Sequence, residues 1–197
     1  MTVKRFQSKY PFRHLLCYIP KRYVCLQNWQ KEQRTIIEDF KNGHATQDLY
    51  QRFANAIKTI ITKHTGQWIV TFIPPTVGYE VEYDWRYKEL ASYLQEHLPE
   101  IPVAYRSVMV ADEWSSAPKN LGGRRTIETG NLAVNAALFR NKSVILIDDI
   151  ITTGYSFRTV GDALTAAGAI RIYGVILAMT IHPNLPIKNR KITKKQY

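Results

Sequence analysis

The chain has 197 residues, 45% of them hydrophobic and 12% aromatic, enough for a packed core and too many for a globally disordered protein. No apolar stretch approaches the roughly 20 residues of a membrane span, and Cys17 and Cys25 fit neither a C-x-x-C zinc half-site nor a disulfide framework. The formal charge of +11 sits at the ends: residues 1–34 hold eight Lys or Arg against one acid, residues 188–197 hold five against none, and the body between is near neutral.

Residues 1–33 interleave cations with Phe6, Tyr10, Phe12, Tyr18, Tyr23 and Trp29, and read as an N-terminal extension. From Asn28 the pattern turns helical, with Ile36, Ile37 and Phe40 at helical spacing until Asn42-Gly43 breaks the run. Thr46 is placed to cap a second helix whose Leu49, Phe53, Ala56, Ile57 and Ile60 share a face. Trp68 to Ile73 predicts a strand, stopped by Pro74-Pro75, and a helix follows from about Trp85-Arg86 to His97. Val103 to Val110 predicts another strand, Leu132 to Phe139 a short helix, and Val144 to Ile147 a strand buried on both faces. A helix over Phe157 to Ala167 ends at Gly168, and Ile170 to Met179 is the last strand. Strands alternating with helices predict an α/β fold with a parallel sheet, in a main domain over 34–187 followed by a basic tail over 188–197.

The strand at Val144–Ile147 ends in adjacent carboxylates, Asp148 and Asp149, then Ile150-Ile151 and a small polar turn, Thr152-Thr153-Gly154-Tyr155-Ser156. Ligands of open α/β sheets bind beyond the carboxyl ends of strands, where this segment places both. Hydroxyls, a glycine and the first free amides of a helix can wrap a phosphate, and paired acids suit a polyhydroxyl sugar or a hydrated divalent metal. No G-x-x-x-x-G-K-[ST] loop accompanies the strand, so a Walker-type nucleotide site lacks its partner motif. A sugar phosphate is the ligand these residues predict.

The segment Val144-Ile-Leu-Ile-Asp-Asp-Ile-Ile-Thr-Thr-Gly-Tyr-Ser156 resembles the phosphoribosyl-pyrophosphate (PRPP) motif of type I phosphoribosyltransferases. The resemblance implies that Asp148 and Asp149 hold the ribose hydroxyls and that Thr152, Thr153, Gly154, Tyr155 and Ser156 hold the 5′-phosphate. It implies Mg²⁺ near Asp148 and Asp149 through water, and a cationic loop over the pyrophosphate. Lys119, Arg124 and Arg125, in the polar stretch Asp112–Gly130 with Gly122-Gly123, fill that loop's place, and Arg86 stands just beyond the pyrophosphate loop after the first strand. A narrower likeness is to the competence-protein F (ComF) branch: Ile36-Ile-Glu-Asp-Phe-Lys-Asn-Gly43 is similar to its Ile-x-x-Phe-Lys-x-Gly segment. The branch's Arg-Gly-Phe-Asn-Gln pattern is degraded to Tyr83-Asp-Trp-Arg-Tyr87, and its four-cysteine zinc module is missing.

Two readings of function follow. In the first the chain is an enzyme that moves phosphoribose to or from a nitrogenous acceptor with Mg²⁺. In the second it is a ComF-like auxiliary of DNA uptake or processing that binds single-stranded DNA through its basic termini, with or without catalysis. A PRPP-sensing regulator is a third, plainer option. PRPP or a related ribose 5-phosphate is the expected partner, no membrane is, and nucleic-acid binding and a homodimer stand open. The N-terminus has positive charge with no apolar segment after it, which predicts a cytoplasmic protein.

Overall fold

The computed structural model describes residues 8–75, 85–110 and 127–183. Strand β1 (Phe12–Tyr18) leads to α1 (Asn28–Lys41), α2 (Gln47–Ile61), β2 (Trp68–Phe72), α3 (Trp85–His97) and β3 (Val108–Val110). Then come β4 (Leu132–Val134), α4 (Ala136–Phe139), β5 (Ser143–Ile151), α5 (Tyr155–Ala166) and β6 (Arg171–Thr180). The main sheet has four strands in the order β1-β6-β5-β2, every pairing parallel. Beyond β2, Val103 bridges to Val70, while β3 and β4 form a separate antiparallel pair.

The uninterrupted apolar run of β5 has a direct cause. Ile145 and Ile147 pack with Phe40, Phe53, Ile57, Leu90 and Leu94 of α1, α2 and α3, whereas Val144 and Leu146 pack with Phe157, Val160 and Leu164 of α5. Helices thus cover both faces, and neither row of side chains has reason to be polar. The α/β architecture expected from the sequence is present. Thr46 caps α2 as predicted, its side chain accepting a hydrogen bond from the Leu49 amide.

Three stretches differ from expectation. Phe12–Tyr18, read as part of an extension, is an edge strand in register with β6 from Phe12↔Gly174 to Tyr18↔Thr180. Three aromatics in and beside it serve packing, Tyr10 and Phe12 meeting Phe157 edge-on and Tyr23 being buried beside His182, while Trp29 is exposed. The segment is further held by Lys9 and the Tyr10 hydroxyl, each 2.6 Å from Asp162 Oδ1. The strand predicted over 103–110 is cut by Arg106 in the left-handed region (φ 59°), and only its last three residues pair with β4. There the Ser107 hydroxyl donates to the Ala104 carbonyl at 2.7 Å and lies 2.9 Å from Thr71 Oγ1, closing a turn. The helix predicted over 132–139 is instead β4 followed by the four-residue α4, because Leu132 and Val134 pair with Val110 and Val108.

Candidate functional site at the carboxyl end of β5

Strand β5 runs on through both acids to Ile151, so the carboxylates project from its last turn of pleat and not from a loop. Each is fixed by the amide that follows it. The Asp149 N–H donates to Asp148 Oδ1 at 2.8 Å, and the Ile150 N–H donates to Asp149 Oδ1 at 2.6 Å. Asp148 is buried, 8% exposed, and the Tyr87 hydroxyl of α3 stands 3.5 Å from its Oδ1. Asp149 meets α1: Lys41 Nζ lies 3.4 Å from its Oδ2. Two adjacent like charges under helices are costly unless hydrogen bonds and a cation compensate, and this arrangement supplies both.

The turn after the strand is shorter than the sequence predicts, because α5 begins at Tyr155 and takes Tyr155 and Ser156 into its first turn. Gly154 takes a left-handed conformation (φ 72°) as N-cap of α5, and its carbonyl accepts from the Arg158 amide at 2.9 Å. Only glycine holds such a φ without steric cost. Thr152 and Thr153 are exposed; Thr152 Oγ1 lies 3.0 Å from Thr180 Oγ1 at the end of β6, and the Tyr155 amide donates to Thr153 Oγ1 at 3.4 Å. Tyr155 is exposed, with the Arg158 guanidinium 5.8 Å from its ring centroid, and Ser156 is half-buried. The first amides of a twelve-residue helix, two threonine hydroxyls and a nearby cation therefore gather at one strand end with two carboxylates.

Arg86 lies in the first turn of α3, directly before Tyr87, and its side chain is outside the described residues. Lys119, Arg124 and Arg125 also lie outside them, as do the basic tail from 188 and most of the loop after β2. Among the described residues no group of three or more His, Cys, Asp or Glu could hold a metal ion. A pair of carboxylates fits Mg²⁺ that arrives with a phosphate ligand and keeps most of its waters, and does not fit an ion caged by protein alone.

Beside the acids, a cavity of about 280 Å³ opens between α1 and the strand ends, lined by Tyr18, Lys21, Ile37, Glu38, Asn42 and Ile150 together with Lys41. Lys21 Nζ lies 2.9 Å from Glu38 Oε1, a contact that raises the lysine's pKa above its ordinary value. A second cavity, about 810 Å³, sits at the opposite end of the sheet around Trp68, Gly66 and Lys142, remote from the acids.

Sequence reasoning missed Lys41, Tyr87 and Arg158. Lys41 and Tyr87 lie inside the Ile36–Gly43 and Tyr83–Tyr87 segments, where local pattern gives them no role. Only the tertiary crossing of α1 and α3 over β5 brings them to the acids. No helix among the described residues is long and apolar enough to cross a membrane.

No protein-family model matches the chain, and no curated protein sequence does. Among solved structures it is similar to a hypoxanthine phosphoribosyltransferase from Staphylococcus aureus, at 16% identity over 73% of this chain and 72% of that one, TM-score 0.41. A hypoxanthine-guanine phosphoribosyltransferase from Bacillus anthracis matches at 16% identity over 72% and 76% of the two chains, TM-score 0.41. A purine phosphoribosyltransferase from Pyrococcus horikoshii matches at 17% identity over 72% and 81%, TM-score 0.39.

Proposed function

We propose that the chain binds PRPP at the carboxyl end of β5 and transfers phosphoribose to or from a nitrogenous acceptor. One observation carries the reading: two anchored carboxylates end one buried parallel strand, and two exposed threonines and a glycine-opened helix N-terminus follow within a few residues. The motif resemblance at Val144–Ser156 supplies the ligand's identity. The finer likeness, to the ComF branch, rests on Ile36–Gly43 and on the helix and the strand ending at Phe72-Ile-Pro74 that follow it.

In this reading the α5 amides with Thr152, Thr153 and Ser156 receive the 5′-phosphate, and Asp148 and Asp149 accept hydrogen bonds from the ribose hydroxyls. The bond from ribose C1 to the pyrophosphate oxygen breaks, pyrophosphate leaves with the electron pair, and a ring nitrogen of the acceptor forms the new bond to C1 as its proton passes to pyrophosphate or water. Positive charge develops on the sugar beside the two carboxylates, which stabilise it. Mg²⁺, bound with the ligand, would neutralise the departing pyrophosphate. Arg86, Lys119, Arg124 and Arg125 are proposed as further cations toward that group. The cavity between α1 and Ile150 is the proposed place of the acceptor, with Tyr18, Ile37 and Ile150 as its apolar wall.

PRPP with Mg²⁺ should raise the melting temperature of the wild type, and the Asp148→Asn, Asp149→Asn double variant should abolish the rise. A wild-type melt unchanged at millimolar PRPP would overturn the proposal. Pyrophosphate release with a panel of bases then separates an enzyme from a sensor.

A further inference from the structure

Of the four fixed positions of the Ile-x-x-Phe-Lys-x-Gly pattern, which are Ile37, Phe40, Lys41 and Gly43 here, all but one are accounted for by packing or by helix termination. Ile37 and Phe40 are fully buried, and the Phe40 ring stacks on Phe53 with centroids 5.8 Å apart. Gly43, at φ 77°, carries the chain out of α1. Lys41 remains. It is in the last turn of α1, its side chain is 40% exposed, and its ammonium lies 3.4 Å from Asp149 Oδ2. The two neighbours on α1 thus serve the two neighbours on β5. Phe40 packs edge-on against Tyr87, whose hydroxyl reaches Asp148, while Lys41 reaches Asp149.

The ammonium occupies the edge of Asp149 that an incoming cation would approach, since Oδ1 already accepts the Ile150 amide. It offsets part of the negative charge of the acidic pair, and Asp149 is only 14% exposed, so the attraction is incompletely screened. We propose that Lys41 is a tethered cation of the acidic pair: it keeps a bare divalent ion out of the ligand-free cleft, so that the ion is admitted together with its polyphosphate. The proposal rests on the phosphoribosyl reading for the identity of that polyphosphate, and on geometry alone for the exclusion of the bare ion.

The test is a Mn²⁺ titration of the full chain, with the free ion followed by electron paramagnetic resonance, on wild type, Lys41→Met and Lys41→Arg. Without PRPP, Lys41→Met should bind Mn²⁺ about fivefold more tightly than wild type, an effect at the upper end for a partly exposed ion pair. Lys41→Arg keeps the charge and should behave as wild type. In an Asp149→Asn background the methionine substitution should change nothing, which a purely structural role would not predict. Should Lys41→Met fail to fold, as judged by its melt, Lys41→Gln takes its place. Equal Mn²⁺ affinity in wild type and the neutral variant would overturn the proposal. If PRPP leaves wild-type Mn²⁺ affinity and melting temperature unchanged while the neutral variant still binds the bare ion more tightly, the ligand assignment fails and the role of Lys41 stands.

Discussion

Gly154 is buried at the start of α5 in the left-handed region, and the amide donated to its carbonyl is that of Arg158. Replacing it with alanine puts a Cβ on a backbone that disfavours one, at about 1 kcal/mol. The expected result is a melting temperature lower by about 2–4 °C, with a larger relative loss of phosphate-ligand binding. Tyr50 offers a different handle. Burial, and then the Glu89 carboxylate 3.4 Å from its hydroxyl, push its pKa up to about 12. Its folded value lies above the unfolded one, so the stability it contributes is whole below about pH 10 and is lost as pH rises toward 12. An alkaline titration of tyrosinate absorbance should include a late-titrating step that Tyr50→Phe removes. A Tyr50→Phe titration identical to wild type would refute the assignment.

At the scale of elements, the junction of β1, β6 and α5 turns on Gly174. A Cβ there would lie 2.6 Å from Phe12 Cβ and 2.6 Å from Phe157 Cζ. Phe12 Cβ is tied to its own backbone and cannot swing aside, so Gly174→Ala should cost about 1–3 kcal/mol by overpacking, read as a lower urea midpoint. The same junction shows what a sequence can reveal. α1, α2, β2, β5, α5 and β6 each carry a local signature: a helical stripe, a capping threonine, an apolar run or a terminal glycine. So do Asp148 to Ser156, because motif, strand end and helix start are contiguous. β1 carries none, since Arg13 and His14 interrupt its alternation and its strand character comes from pairing with β6. β3 and β4 are three residues each, too short for periodicity to register, and exist because they pair with one another. Lys41 and Tyr87 were hidden for the same reason, their meaning lying in contacts made across the sheet.

For the molecule as a whole, the charge at the N-terminal end is partly spent in the fold. Lys9 is paired with Asp162 and Lys21 with Glu38, which leaves less of that segment for polyanion contact than composition alone implies. The edge position of β1 also governs the order of events in assembly. Lys9 and Asp162 are 153 positions apart, and among the described residues the ladder partner of β1 is β6. The loop to be closed is nearly the entire chain, so this pairing comes late in folding, after the local contacts of α1, α2 and β2. Pulse-labelling hydrogen exchange during refolding should find β1 amides protected last, and early protection there would contradict this order. On the ribosome β1 emerges well before β6 and must wait for its partner until β6 has been synthesised.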